Sequence, residues 1–396
     1  MIYSKLYLKP KKEESLLRFH PWVFSGAIAK TEGTLQEGDI VEVYGSDHRF
    51  LGVGHYQIGS IAVRILSFAQ TPIDSNFWAD KIYTAYKMRQ SLGLVDIVKN
   101  NMYRLVHGEG DMLPGLIIDI YAQTAVIQAH SVGMHHARKQ IADAIVKIFD
   151  NQINSIYYKS EGTLPFKAGL QEENGFLFGT ENVDTCVATE NGLKFLIDWK
   201  KGQKTGFFID QRDNRSLLKK YALNRSVLNI FCYTGGFSVY ALQGGASSVH
   251  SVDSSAHAVS LADENVALNF PDDARHRSFA EEAFEFMKSI ENQYDLIVLD
   301  PPAFAKHRDA LRNALRGYQK LNTIAISKIR KGGILFTFSC SQIVSRQDFR
   351  LAVFSAAAQT GRNVRILHQL SQPADHPVNI YHPEGEYLKG LVLWVE

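Results

Sequence analysis

From about residue 190 to residue 340 one arrangement recurs: a short apolar run, a turn of small or polar residues, then a helical stretch. The apolar runs are VLNIF (227–231), SVHSVD (248–253), YDLIVLD (294–300) and GILFTFS (333–339). The helical stretches are the region after Gly236, AVSLADENVALN, EAFEFMKSI and the long segment before Gly332. Apolar strands alternating with helices indicate a parallel sheet wound on both faces. An α/β, Rossmann-like domain is therefore expected over 191–396, with ligands bound beyond the carboxyl ends of its strands. The β-prone tail YLKGLVLWV is expected to add a closing hairpin.

The strand-end residues carry the chemistry. The first strand runs into FCYTGGFS (231–238), where glycine lets the backbone approach a ligand and a helix start offers free amides. The second strand, roughly twenty residues further on, ends at Asp253, where an acid grips a ribose hydroxyl in dinucleotide folds. The turn is not G-x-G-x-x-G, and the lysine and serine or threonine of a phosphate loop are missing. A nucleoside carrying a carboxylate instead of a pyrophosphate remains, and S-adenosylmethionine fits that description. Glu282, in AEEAFEF, is expected near the adenine, although a glutamate at a helix start also gains from the helix dipole.

LDPPAFAK (299–306) closes another strand. Pro301 and Pro302 make a rigid rim, because proline fixes its own backbone and restricts the residue before it. Asp300 is then held where a transferred methyl meets its acceptor, and Phe304 is placed to stack on a base. The last strand ends in FSCSQ, which puts Cys340 on the same edge as Tyr233, Asp253 and Asp300. A lone cysteine there is either a packed core thiol or a nucleophile, and its place on the binding edge favours the nucleophile. Cys232 is expected to pack in the core or line the cofactor. Cys186 has no partner motif.

The first half reads differently. WVFSGAI, GDIVEVYG, FLGVGHY and SIAVRIL alternate with glycine-centred turns, so residues 1–71 are expected to form a small β-barrel or sandwich. Residues 72–190 begin with the helical DSNFWADKIYTAYKMRQSLGL. A hairpin around GEGDMLPG, a helix near 134–149 and the strand SIYYK follow, making a central α+β domain. No apolar stretch is long enough to span a bilayer, and MIYSKLYLKPKKEE lacks the apolar core of a signal peptide, so a cytoplasmic protein with no membrane partner is expected. Three scattered cysteines form neither a disulfide framework nor a zinc cage, and no metal is expected. The net charge of +2 leaves any nucleic-acid contact to local patches. Lys5, Lys9, Lys11, Lys12 and Arg18 form one candidate, and Lys200, Lys201, Lys204, Arg212 and Arg215 another. For either cluster alone a solvated surface is the simpler reading.

Taken together, these motifs resemble the S-adenosylmethionine-dependent 5-methylcytosine methyltransferases of large-subunit ribosomal RNA that carry an N-terminal PUA domain. The resemblance covers nearly the whole chain. It rests on RFHPWVFSGAI (18–28), RLVHGEGDMLPGLIIDIY (104–121), GQKTGFFIDQRDNR (202–215), LNIFCYTGGFS, LDPPAFAK, FSCSQ, DHPV and PEGEYLKG. It implies a PUA domain at 1–71 and a cofactor site of Phe231, Tyr233, Gly235, Phe237 and Asp253, with Gln211 and Arg212 near the pocket; the strand-end reading adds Thr234, Gly236, Glu282 and Asp300 to that site. The resemblance further implies Cys340 as nucleophile, an RNA partner and a homodimer. Asn229 and Glu282 depart from the family, in which aspartate is usual at both positions. Neighbouring families with similar GQKTGFF and DPP motifs methylate guanine. N-methylation of guanine without a covalent cysteine, and RNA binding without catalysis, are the two competing readings.

Overall fold

The computed structural model describes residues 3–165, 174–179, 185–305 and 307–396. Lys306, the last residue of LDPPAFAK, lies outside the described residues. The chain forms two compact units. One comprises 1–189, 197–207 and 374–385; the other comprises 190–196, 208–373 and 386–396.

The first unit holds two sheets. The six-stranded sheet runs in the order Trp22–Phe24, Ile61–Ser67, Phe50–Tyr56, Ile40–Tyr44, Ser4–Leu8, Ile28–Glu32. WVFSGAI is not one strand: a 3-10 turn at Ser25–Ala27 breaks it, and its halves lie on opposite edges of the sheet. The five-stranded sheet runs Gly175–Phe178, Ser155–Tyr158, Thr124–Ala129, Leu116–Tyr121, Met102–His107. Helices Ser75–Ser91 and Val132–Phe149 accompany it. Asp74 starts the first helix by accepting from the amides of Asn76 and Phe77, satisfying donors that have no partner within the helix. Val53 and Leu66 of the six-stranded sheet are buried in the same apolar cluster as Trp78, Ile118 and Ile145. Buried Arg89 is bidentate to Asp111 and donates to the Asp375 carbonyl, while Asp375 accepts from the Arg104 amide. The segment 374–385 is thereby tied into this unit.

The second unit contains a seven-stranded sheet. Its strands are β1 (Ser226–Ile230), β2 (Ser248–Asp253), β3 (His276–Ala280), β4 (Leu296–Leu299), β5 (Gly333–Ser339), β6 (Val364–Leu370) and β7 (Lys389–Val395). They lie in the order β3-β2-β1-β4-β5-β7-β6. All neighbours are parallel except β7, which runs antiparallel to both β5 and β6. Every residue of β4 and β5 is buried, as a central parallel sheet demands. The helices are α1 (Arg212–Tyr221), α2 (Gly236–Gln243), α3 (Ala256–Asn269), α4 (Ala283–Ser289), α5 (Leu311–Lys328) and α6 (Arg346–Thr360). Ser255 and Ser345 cap α3 and α6 through their hydroxyls. Chain order reverses between β1 and β4, so the crevice outside the carboxyl ends of these strands is the expected ligand site. No helix among the described residues is long and apolar enough to cross a membrane.

Candidate functional site

The strand-end residues named from the sequence all belong to the second unit. β1 ends at Ile230, and the next residues leave the strand sharply. Phe231 has φ of 60° and Tyr233 of 47°, both left-handed. Aromatic side chains rarely adopt this conformation, and strain of this kind persists where surrounding contacts enforce it. One such contact is the Tyr233 amide, which donates to Asp253 Oδ2 at 3.0 Å. Asp253 Oδ1 accepts from the Ser255 amide at 3.0 Å. Each oxygen retains a lone pair for a ribose hydroxyl. Gly235 has φ of 78°, and a Cβ there would lie 2.8 Å from Ala262 Cβ. Only glycine lets α2 start this close to α3.

Asp300 follows β4 and accepts from Gln211 Nε2 at 3.0 Å. Gln211 is fixed in turn by Asn214, whose Nδ2 donates to its Oε1 at 2.6 Å. Burial, reinforced by the nearby Asp210 carboxylate, raises the Asp300 pKa from its ordinary 3.8 to about 7, against the hydrogen bond from Gln211. Asp210 Oδ2 accepts from the Tyr387 hydroxyl at 2.7 Å. Its buried Oδ1 has no hydrogen-bond partner among the described residues.

Arg215, four residues beyond Gln211, forms a buried fork onto Glu190 at 2.8 and 2.7 Å. Tyr240 of α2 donates to the same carboxylate. Arg212 is buried and lies 3.6 Å from Glu190. These two arginines therefore contribute no charge to a surface patch, correcting the second basic cluster expected from the sequence.

Cys340 lies just past β5, with Sγ 3.8 Å from the Pro301 carbonyl. The thiol and Asp300 are thus brought to neighbouring strand ends, β5 and β4. Pro301 is buried and Pro302 exposed. Phe304 packs its half-buried ring on Tyr318, centroids 4.6 Å apart. Phe237 is buried against Phe338 and Thr234 is buried, whereas Glu282, at the start of α4, is exposed. Asn229 is buried on β1 and donates to Ser238 Oγ at 2.9 Å. Cys232 and Cys186 both have raised pKa values through burial, Cys186 to about 12, so neither is a ready nucleophile.

In the first unit His20, His382 and Glu384 bring possible ligand atoms within 4.8 Å of one another. His20 Nδ1 accepts from the Trp22 amide, so in this tautomer its Nε2 carries the proton facing Glu384 and offers no lone pair to a metal. Sequence reasoning missed Glu190, Asp210, Asn214 and Lys389, although all but Glu190 lie inside motifs it had singled out.

A turn of strained aromatics and glycine, an acid at the second strand end that holds this turn, and a D-P-P rim at a topological switch point define a class. The S-adenosylmethionine-dependent methyltransferase family matches residues 172–380, and a PUA-like domain family matches 6–68. This chain is a methyltransferase that uses S-adenosylmethionine, and the cradle described above fits that cofactor. It belongs to the family of the proteins named Ribosomal RNA large subunit methyltransferase I. The relative from Tolumonas auensis is 40% identical over 98% of this chain and 99% of its own. That from Pseudoalteromonas atlantica is 41% identical over 98% of each. Among solved structures, a methyltransferase complexed with SAH is 23% identical, covers 100% of both chains and has a TM-score of 0.84. A SAM-dependent methyltransferase from Streptococcus mutans, 22% identical with TM-score 0.83, likewise shares the fold.

Proposed function

We propose that this enzyme methylates carbon 5 of a cytosine in large-subunit ribosomal RNA, with Cys340 as covalent nucleophile. The observation that carries this reading is the Cys340 thiol beside the Pro301 carbonyl, one residue from Asp300. Carbon 5 of cytosine is a poor nucleophile until the ring is activated. Cys340 Sγ adding to carbon 6 supplies that activation, while the Asp300 carboxyl donates its proton to N3. A pKa near 7 leaves Asp300 able both to give that proton and to take it back. The cofactor, when bound, supplies an electrophilic methyl group. Loss of the carbon 5 proton to a base then lets Sγ leave, restoring the ring and the thiolate. The target base must be turned out of the RNA to reach these groups.

The PUA-like domain is read as an RNA grip. Its Lys9, Lys11 and Lys12 are exposed, and Phe19 and Phe24 are exposed large aromatics in the same segment. Basic charge with aromatic faces suits a nucleic-acid surface.

The test is RNA carrying 5-fluorocytosine, in which fluorine replaces the proton that must leave. Wild type should form a protein–RNA adduct that survives denaturation, and Cys340→Ser should form none and lose turnover. A serine variant that methylates RNA at near wild-type rate would end the covalent reading, leaving guanine N-methylation or a packed core thiol.

A further inference from the structure

β7 is apolar except at its first residue. Lys389 stands opposite Ser339 in the antiparallel register with β5, one residue before the thiol. It is only 5% exposed. Its Nζ donates to the Ser341 carbonyl at 2.5 Å and the Val344 carbonyl at 2.6 Å, on the turn that follows Cys340. No described carboxylate forms an ion pair with it. A buried ammonium held by carbonyls alone carries a charge that its hydrogen bonds do not neutralise, and burial of such a charge is costly unless an anion compensates.

We infer that Lys389 is a positioning residue whose buried ammonium holds Cys340 in its reactive thiolate form. The inference rests on the reading of Cys340 as nucleophile and assigns the source of its activation. A cation close to a thiol favours the thiolate, and it is the thiolate that attacks. The reciprocal effect has the right sign. Burial lowers the Lys389 pKa from 10.5 to about 8, and Cys340 is the largest influence raising it.

The other groups facing this pair do not replace the lysine. Arg346 at the start of α6 opposes the lysine charge, but its guanidinium is partly exposed and lies 3.9 Å from Glu386. Glu386 itself is exposed and supports the lysine charge only weakly. Tyr318 of α5 accepts from Ser339 Oγ, and burial pushes its pKa up to about 12, so it stays neutral. Asp300 opposes a thiolate when ionised and does not when protonated. Thiolate formation is therefore favoured in the same state in which Asp300 can donate to N3.

The experiment is alkylation of the full-length protein by iodoacetamide across pH, with the Cys340 peptide followed by mass spectrometry. Lys389→Met should raise the pH midpoint of alkylation by at least one unit, a tenfold loss of rate at pH 7. Lys389→Arg, which keeps the charge, should remain closer to wild type. A purely structural lysine, bracing the turn through its two carbonyls, predicts faster alkylation at every pH with an unmoved midpoint, and that result would overturn the assignment. If the methionine variant fails to fold, wild type labelled with 15N-lysine gives the second readout. Capping Cys340 with methyl methanethiosulfonate should lower the Lys389 pKa by about one unit, and an unchanged titration would equally overturn the assignment. The fluorocytosine adduct tests covalent catalysis. The alkylation midpoint tests Lys389 whether or not that adduct forms.

Discussion

Asp300→Asn should make the methyltransferase unit more stable at alkaline pH while leaving it nearly unchanged in acid. The native pKa lies at about 7 against an ordinary 3.8, a gap of about three units. At about 1.4 kcal/mol per unit the gap corresponds to about 4 kcal/mol. Its sign follows from proton binding. Between about pH 4 and pH 7 the native state holds a proton on Asp300 that the unfolded chain has lost, so stability falls as pH rises through this window. Asparagine keeps the shape, and its carbonyl still accepts from Gln211, but nothing titrates. Buried histidines push the other way. His55 and His130 have pKa values lowered to about 3 and about 4 by burial, so each lends stability as pH rises towards 6.5. They are common to both proteins and cancel in the difference. The assay is urea unfolding at pH 4.5, 6 and 8, with hydrogen-exchange labelling read on β4 and β5 peptides so that this unit alone is reported. The variant should gain about 3 kcal/mol on wild type between the ends of the range, the remainder of the linkage lying below pH 4.5. Parallel pH profiles would mean that Asp300 ionises like an exposed carboxylate, and its role as proton donor would fall with them.

Two further predictions concern the cofactor cradle. Asp253→Ala removes the acceptor for two backbone amides and, if Asp253 grips the ribose, for its hydroxyl, each unsatisfied group costing about 1–3 kcal/mol, so calorimetry should show SAH binding at least tenfold weaker, and unchanged affinity would remove Asp253 from the site. Gly235→Ala forces a left-handed alanine against Ala262, so cofactor affinity and thermal stability should fall together by about 1–3 kcal/mol, and a neutral outcome would refute the tight α2–α3 approach.

The strands most visible in the sequence lie inside the sheet, whether buried throughout like β5 or alternating buried and half-buried residues like β2. SVHSVD and GILFTFS coincide with β2 and β5 to the residue. VLNIF is offset from β1 by one residue because Phe231 already turns left-handed, a property of the turn that hydrophobic patterning does not record. VRILHQL went unseen because β6 is an edge strand with most of its residues partly or fully exposed, so it has no apolar signature. At the site, strand-end positions are legible because the fold delivers every strand end to one crevice. Pairings such as Gln211 with Asp300 are not, since residues so far apart in the chain meet only through the sheet order. Lys389 falls within both PEGEYLKG and the β-prone YLKGLVLWV, but nothing in either stretch says that the lysine points inward.

The path of the chain bears on how the protein is made. Arg89 and the Arg104 amide find their Asp375 partners only after the methyltransferase strands β1 to β6 have been synthesised. At about 5–20 residues per second, roughly 10–40 s separate the end of the first long segment at residue 189 from the arrival of residue 375. Throughout that interval the nascent N-terminal half carries an incomplete polar network at the place that 374–385 will occupy. Translation therefore sets a lower limit on maturation, and a chain interrupted before residue 374 leaves that half unfinished, a state that cellular quality control can recognise.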